Sequence, residues 1–164
     1  HIQQIELKYL NKLKKLLYLL AVAGPSAPNV SQLASDVQTS RATVMNYFKF
    51  LSDARLINMI YRKGELSAKK PARITLHNTN LLFAIFPRFN DEEMLQDTFF
   101  QQNLCSMHNV SAGDRSCGFY VDGKRFRICN EEPHRFSGDV YYVRNGITKG
   151  HDKQIPLWLF GFLY

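Results

Sequence analysis

Residues 29–64 read NVSQLASDVQTSRATVMNYFKFLSDARLINMIYRKG. Asn29 stands just before a helical period and Gln32 follows three residues later, so the Asn side chain can accept a first-turn amide while the Gln reaches back. A first helix is predicted over Val30 to Val37. Thr39 and Ser40 restart the chain, and Ser40 suits the cap of a second helix from Arg41 to about Ala54. Within it Val44, Tyr47, Phe48 and Leu51 recur at i, i+3, i+4 and i+7, sharing a face that forms a small core with Leu33. The other face carries Ala42, Asn46, Lys49 and Asp53, flanked by Arg41 and Thr43. Leu56 to Arg62 has strand character and Ala72 to Leu76 is its partner, with Lys63, Gly64, Lys69 and Lys70 on the loop between them.

Two capped helices, a tight turn and a following hairpin make a helix-turn-helix pattern with a wing, whose second helix enters a DNA major groove. The candidate DNA-contacting residues are Ser40, Arg41, Thr43, Asn46 and Lys49 of that helix and Arg62, Lys63, Lys69 and Lys70 of the wing. Asn is a bidentate reader of adenine, and the cations suit phosphates. Residues 1–88 hold 13 Lys and Arg against 4 Asp and Glu, whereas 89–164 hold 8 against 10. The positive charge therefore belongs to the first half, where it favours polyanions through steering and counterion release. A helix-turn-helix also serves as a protein-interaction module, and Asp53 with few arginines on the exposed face fits that alternative.

The 164 residues, 45% hydrophobic, suffice for one or two small domains. Leu16 to Ala23 and Ile155 to Tyr164 are the longest apolar runs, far short of the about 20 residues that span a bilayer. No membrane partner is expected. The chain opens on an amphipathic helix without Met or a signal-peptide pattern, and is read as a piece of a longer protein. Cys105, Cys117 and Cys129 fit neither a disulfide framework nor a zinc pattern, so reduced thiols and a cytoplasmic setting are expected, with the sequons at Asn29 and Asn109 coincidental. His77, His108, His134 and His151 show no ligand spacing with the cysteines, and Cys105 near His108 reads as a packing residue.

The chain divides near Pro87, into 1–87 and 88–164. A first helix over Ile5 to Val22 would point Leu10, Leu13, Leu17 and Leu20 inward and Lys8, Lys12 and Lys15 outward, ending at Gly24-Pro25. Asn78 to Ile85 is a short apolar helix. Asp91 to His108 is helical, with Asp91, Glu92 and Glu93 in the first turn, where the dipole favours carboxylates. Beyond it the period becomes two. Gly118 to Val121 and Lys124 to Ile128 flank Asp122-Gly123, a two-residue hairpin signal. Asp139 to Arg144 and Leu157 to Phe162 are two further strands, the last buried through Leu157, Leu159 and Phe162. Phe99, Phe100, Phe119, Phe126 and Trp158 read as core.

The series SRATVMNYFKFLSDARLI, KKPARITLHNTNLLFAIF, LQDTFFQQNL and GFYVDGKRFRI, ending in IPLWLFGFLY, resembles the C-terminal half of bacterial and archaeal AAA-type ATP-binding proteins, whose tail region is called DUF4143. The resemblance covers essentially the whole chain. It implies an upstream ATPase domain, then a winged helix, then a region resembling the PD-(D/E)xK nuclease fold. No GxxxxGK[ST] occurs, so ATP and Mg are expected only in that upstream domain and no cofactor is expected in this chain.

A nuclease of that kind needs a carboxylate pair to hold a divalent metal and a lysine at the attacking oxygen. The resemblance places the helix carboxylate at Asp97, but the strand aspartate at Gly118, the hairpin glutamate at Arg127 and the lysine at Cys129. The site is therefore read as degenerate, with no catalytic residue and no metal, and with Arg127 pairing Asp97. A second cluster, Asp97, Asp122, Glu131 and Glu132, competes with a turn role for Asp122 and a solvated loop for the glutamates. The fold expected is α+β, a winged helix-turn-helix domain followed by a small α/β domain resembling a degenerate restriction-endonuclease-like fold. The function expected is non-catalytic recognition of DNA. The alternative is a structural module packing on the upstream ATPase domain or on another protomer of a homo-oligomer, and a metal-dependent nuclease is the third reading.

Overall fold

A computed structural model describes residues 2–66, 69–105, 107–114 and 118–163. Cys117 and Tyr164 lie outside the described residues. The first helix, α1 (Ile2–Ala23), ends at Gly24, whose φ of +68° only glycine adopts without strain. A Cβ there would also stand 2.6 Å from Cε of Met94, so the same residue lets a later helix pack closely. Leu16, Leu20 and Ala21 are buried, while Leu13 and Leu17 are half-buried. The inward stripe thus begins later than the leucine spacing suggests. Leu10 is exposed, whereas its neighbour Tyr9 meets Tyr47 and Phe50.

Side-chain caps then punctuate the chain. Asn29 accepts the Gln32 amide to start α2 (Val30–Asp36), and Ser40 accepts the Thr43 amide to start α3 (Arg41–Asp53). Strands β1 (Ile57–Ile60) and β2 (Arg73–Leu76) pair antiparallel, Ile57 opposite Leu76 and Ile60 opposite Arg73. Asn78 caps α4 (Thr79–Ile85) through the Leu81 amide. Val30, Leu33, Val44, Tyr47, Phe48, Leu51, Ile57 and Ile74 close over α1 in one apolar cluster.

Helix α5 (Glu92–Cys105) follows, opened by Asp91, whose carboxylate accepts the Met94 amide. A five-stranded sheet then forms from β3 (Val110–Ala112), β4 (Phe119–Val121), β5 (Lys124–Cys129), β6 (Val140–Arg144) and β7 (Gln154–Pro156), in that spatial order. β3, β4 and β5 pair antiparallel, and β5, β6 and β7 pair parallel, so the architecture is α+β with a mixed sheet. Asp122 and Gly123 both have positive φ, 49° and 80°, the requirement of the tight hairpin that their sequence announces. Phe100 of α5 is wholly buried, with its ring centroid 5.1 Å from that of Phe119 and 5.0 Å from that of Phe160. Among the described residues no helix is long and apolar enough to cross a membrane.

The chain end departs from expectation. Leu157–Phe162 is a 3-10 helix, and the strand is the preceding β7. Pro156 ends the strand because it has no N–H to give a ladder. The apolar run then follows a period near three, which buries Leu157 and Phe160 and leaves Leu159 at 41% and Phe162 at 71% exposure. Trp158 is likewise a surface residue, donating its indole N–H to the Ile147 carbonyl at 3.2 Å. Phe160→Ala should therefore cost about 3 kcal/mol of stability, and Phe162→Ala no more than about 0.5 kcal/mol. Urea denaturation of the two variants checks this; equal losses would restore a two-faced strand.

Candidate functional site

Burial of Val44, Tyr47, Phe48 and Leu51 turns the opposite face of α3 to solvent. Ala42, Asn46, Lys49, Phe50 and Asp53 stand on it, with Arg41 exposed at its start. The Ser40 oxygen accepts the Thr43 amide at 3.0 Å and lies 2.8 Å from the Thr43 hydroxyl. These two hydroxyls are therefore engaged by the cap. Phe50, which the sequence reading did not single out, is 51% exposed and stands edge-on to Tyr9 of α1. Its i+4 spacing from Asn46 was the available signal. Lys12 does not simply face outward, since its ammonium donates to the Gln38 carbonyl at 2.7 Å and fastens α1 to the turn before α3.

The hairpin brings Arg62, Lys63, Lys69 and Lys70 to the surface, but not equally free. The Ala112 amide donates to the Tyr61 carbonyl at 2.8 Å, and Arg62 forms a parallel bridge with Ala112. β1 is thus joined end to edge with β3. The Lys63 ammonium lies 5.9 Å from the centroid of the Tyr120 ring, within cation–π range. Lys69 and Lys70 are exposed further along the segment, as are Arg41 and Lys49 on α3.

Asp97, Arg127 and Cys129 come together in a cleft of about 450 Å³ between α5 and the crossover after β5. Gln96, Tyr142 and residues 130–135 complete its lining with Glu93. Gly118 adjoins Arg127, and a Cβ there would meet only ordinary contacts, so no steric demand explains the glycine. Asp97 does not pair with Arg127. Its partner is Arg73 of β2, at 3.1 Å, whose guanidinium also lies 4.7 Å from the Phe119 ring centroid. Arg73 wins because β2 packs on α5 and fixes the guanidinium there, whereas Arg127 is exposed. Asp122 does not line the cleft. It accepts from His108 at 2.6 Å and from the Asn109 amide at 3.2 Å, and these hydrogen bonds hold its carboxyl below the usual range.

The cleft is poorly equipped for metal chemistry. Among the described residues, no three His, Cys, Asp or Glu side chains are placed to hold a metal ion. Burial pushes the Cys105 thiol up to about 11 and raises that of Cys129 against the opposing pull of Arg144 and Arg127, so neither is an activated nucleophile. Burial likewise pushes Asp97 up to about 6, with the Arg73 charge opposing it and Glu93 adding to it.

That shift fixes a pH dependence. Between about pH 4 and pH 6 the folded chain keeps a proton on Asp97 that the unfolded chain has released, so stability falls as pH rises through this window. At about 1.4 kcal/mol per unit, and reduced for partial exposure, the loss is about 2 kcal/mol. Asp97→Asn keeps an acceptor for Arg73 but cannot titrate. Wild type should lose about 2 kcal/mol relative to this variant between pH 4 and pH 7 in urea titrations, and a constant difference would show an ordinary carboxylate.

No family model, curated protein or solved structure matches this chain, and function has to be sought in the exposed face of α3, the basic hairpin and the cleft.

Proposed function

We propose that the chain is a non-catalytic DNA-recognition module, a winged helix followed by a degenerate nuclease-like unit, forming the C-terminal part of a cytoplasmic AAA-type ATPase. What carries this reading is the exposed face of α3, where Arg41, Asn46 and Lys49 stand clear of the core. Lys69 and Lys70 of the hairpin segment are also exposed, in the half of the chain that holds 13 cations against 4 anions. Asn46 offers a donor and an acceptor to a base edge, while the cations suit phosphates. ATP and Mg belong to the proposed upstream domain. The cleft is read as non-catalytic because Asp97 is held by Arg73, and Gly118 and Arg127 stand where further metal ligands would be needed.

A second reading, a structural module packing on the ATPase domain or on another protomer, is favoured by one observation. Tyr9 and Phe50 are both exposed and meet with ring centroids 6.3 Å apart, which gives the α1–α3 side of the molecule an apolar component that DNA does not require.

Fluorescence anisotropy with duplex DNA at several salt concentrations distinguishes the two. Each lysine that touches a phosphate contributes about one unit to the salt slope, so reversing Lys69 and Lys70 to Glu should lower the slope by about two and weaken binding to all sequences alike. Asn46→Ala should instead weaken binding selectively at one base position, by about 1–3 kcal/mol. Absence of affinity for any duplex at low salt would remove the DNA reading and leave the packing module.

A further inference from the structure

The cleft beside α5 has the size of a ligand site and an unusual balance of polar groups. About 450 Å³ falls within the about 300–1,000 Å³ of small-molecule pockets. Four carboxylates line it, Glu93, Asp97, Glu131 and Glu132, against the guanidiniums of Arg127 and Arg135. Arg73 donates to Oδ2 of Asp97 at 3.1 Å. With Asp97 paired to Arg73, three carboxylates remain against the two guanidiniums, so an anion entering would still face an excess of negative charge, and a divalent metal would lack a converging ligand set among the described residues.

A second observation comes from Gln96, which lines the same cleft. Its residue is only 5% exposed, and its Oε1 is buried with no hydrogen-bond partner. A buried acceptor without a donor is costly, and a ligand N–H that satisfied it would recover that cost on binding. We propose that the cleft binds an organic cation rich in N–H donors, an amine or guanidinium, its charge met by Glu93, Asp97, Glu131 and Glu132 and one N–H directed to Gln96 Oε1. The site is independent of the DNA reading.

Titration calorimetry of the chain, free of DNA, with spermidine, free arginine and a tri-arginine peptide tests this, with inorganic phosphate as the anionic control. At least one cationic probe should bind one to one, and phosphate should not bind. Gln96→Leu removes the acceptor and should weaken binding about tenfold or more, as expected for a hydrogen bond to a charged group. Glu131→Gln with Glu132→Gln, two exposed loop residues, should weaken it to a similar degree with the melting transition unchanged. This loop variant decides the matter if Gln96→Leu does not fold. Spermidine or arginine binding without the peptide marks a free small molecule as ligand, and peptide binding alone marks a partner's basic side chain; either supports the site. No cationic probe bound at millimolar concentration, affinity unchanged in the loop variant, or binding of phosphate would overturn it.

Discussion

Helix α5 is held from two sides, and the relation between the two halves of the chain depends on it. On one side the β1–β2 hairpin meets it through the Thr75 and Thr98 hydroxyls, 3.2 Å apart and buried, and through the Arg73–Asp97 pair. Gln102 of the same helix accepts the Thr79 amide at 2.8 Å and so fastens the start of α4. On the other side Phe100 and Leu104 enter the apolar cluster under the five-stranded sheet, which Ile60 of β1 also joins. A buried pair such as Thr75–Thr98 contributes about 1 kcal/mol while both hydroxyls are satisfied, and losing one partner costs more than the bond itself contributes. These contacts select one orientation of hairpin against sheet more than they add to total stability.

This double contact explains why α5 lacks an apolar stripe. Gln96, Thr98, Gln101 and Asn103 are all buried on it, beside Phe100 and Leu104. A helix with one wet face sorts its residues by a period of 3.6, but a helix covered on two sides has polar positions inside as well. Some find partners, as Asn103 does in donating to the Phe99 carbonyl at 2.7 Å. Gln101 is wholly buried with neither amide atom partnered, an arrangement that costs stability and leaves the helix polar at its centre.

What the sequence made legible was local. Asn29 and Ser40 cap helices because a short side chain reaches an amide three residues away, and Asp122-Gly123 turns because both residues tolerate positive φ. Those interactions are complete within a few residues. The tail misled because IPLWLFGFLY is apolar at nearly every position, which leaves a period of two and a period of three equally consistent with it. Pro156 was the available clue to where the strand stops. The partner of Asp97 was hidden for a different reason. Arg73 is 24 residues away, and only the packing of β2 on α5 brings it in ahead of Arg127. Exposure of Leu10 was equally non-local, since it depends on which face of α1 the later elements cover.

The Arg73–Asp97 pair also bears on how a carboxylate is held at the edge of the cleft. A lone carboxylate with its environment pushing it toward neutrality gains a cation from the neighbouring hairpin, so the position remains polar without needing a metal. Its replacement by an apolar side chain would leave the Arg73 guanidinium, 26% exposed, above Phe119 with no counter-charge, a larger penalty than the pair's own net contribution. The carboxylate is thereby bound into the contact between hairpin, helix and sheet. Gly118 and Arg127 carry no such dependence, since a Cβ at Gly118 would meet only ordinary contacts and Arg127 is exposed.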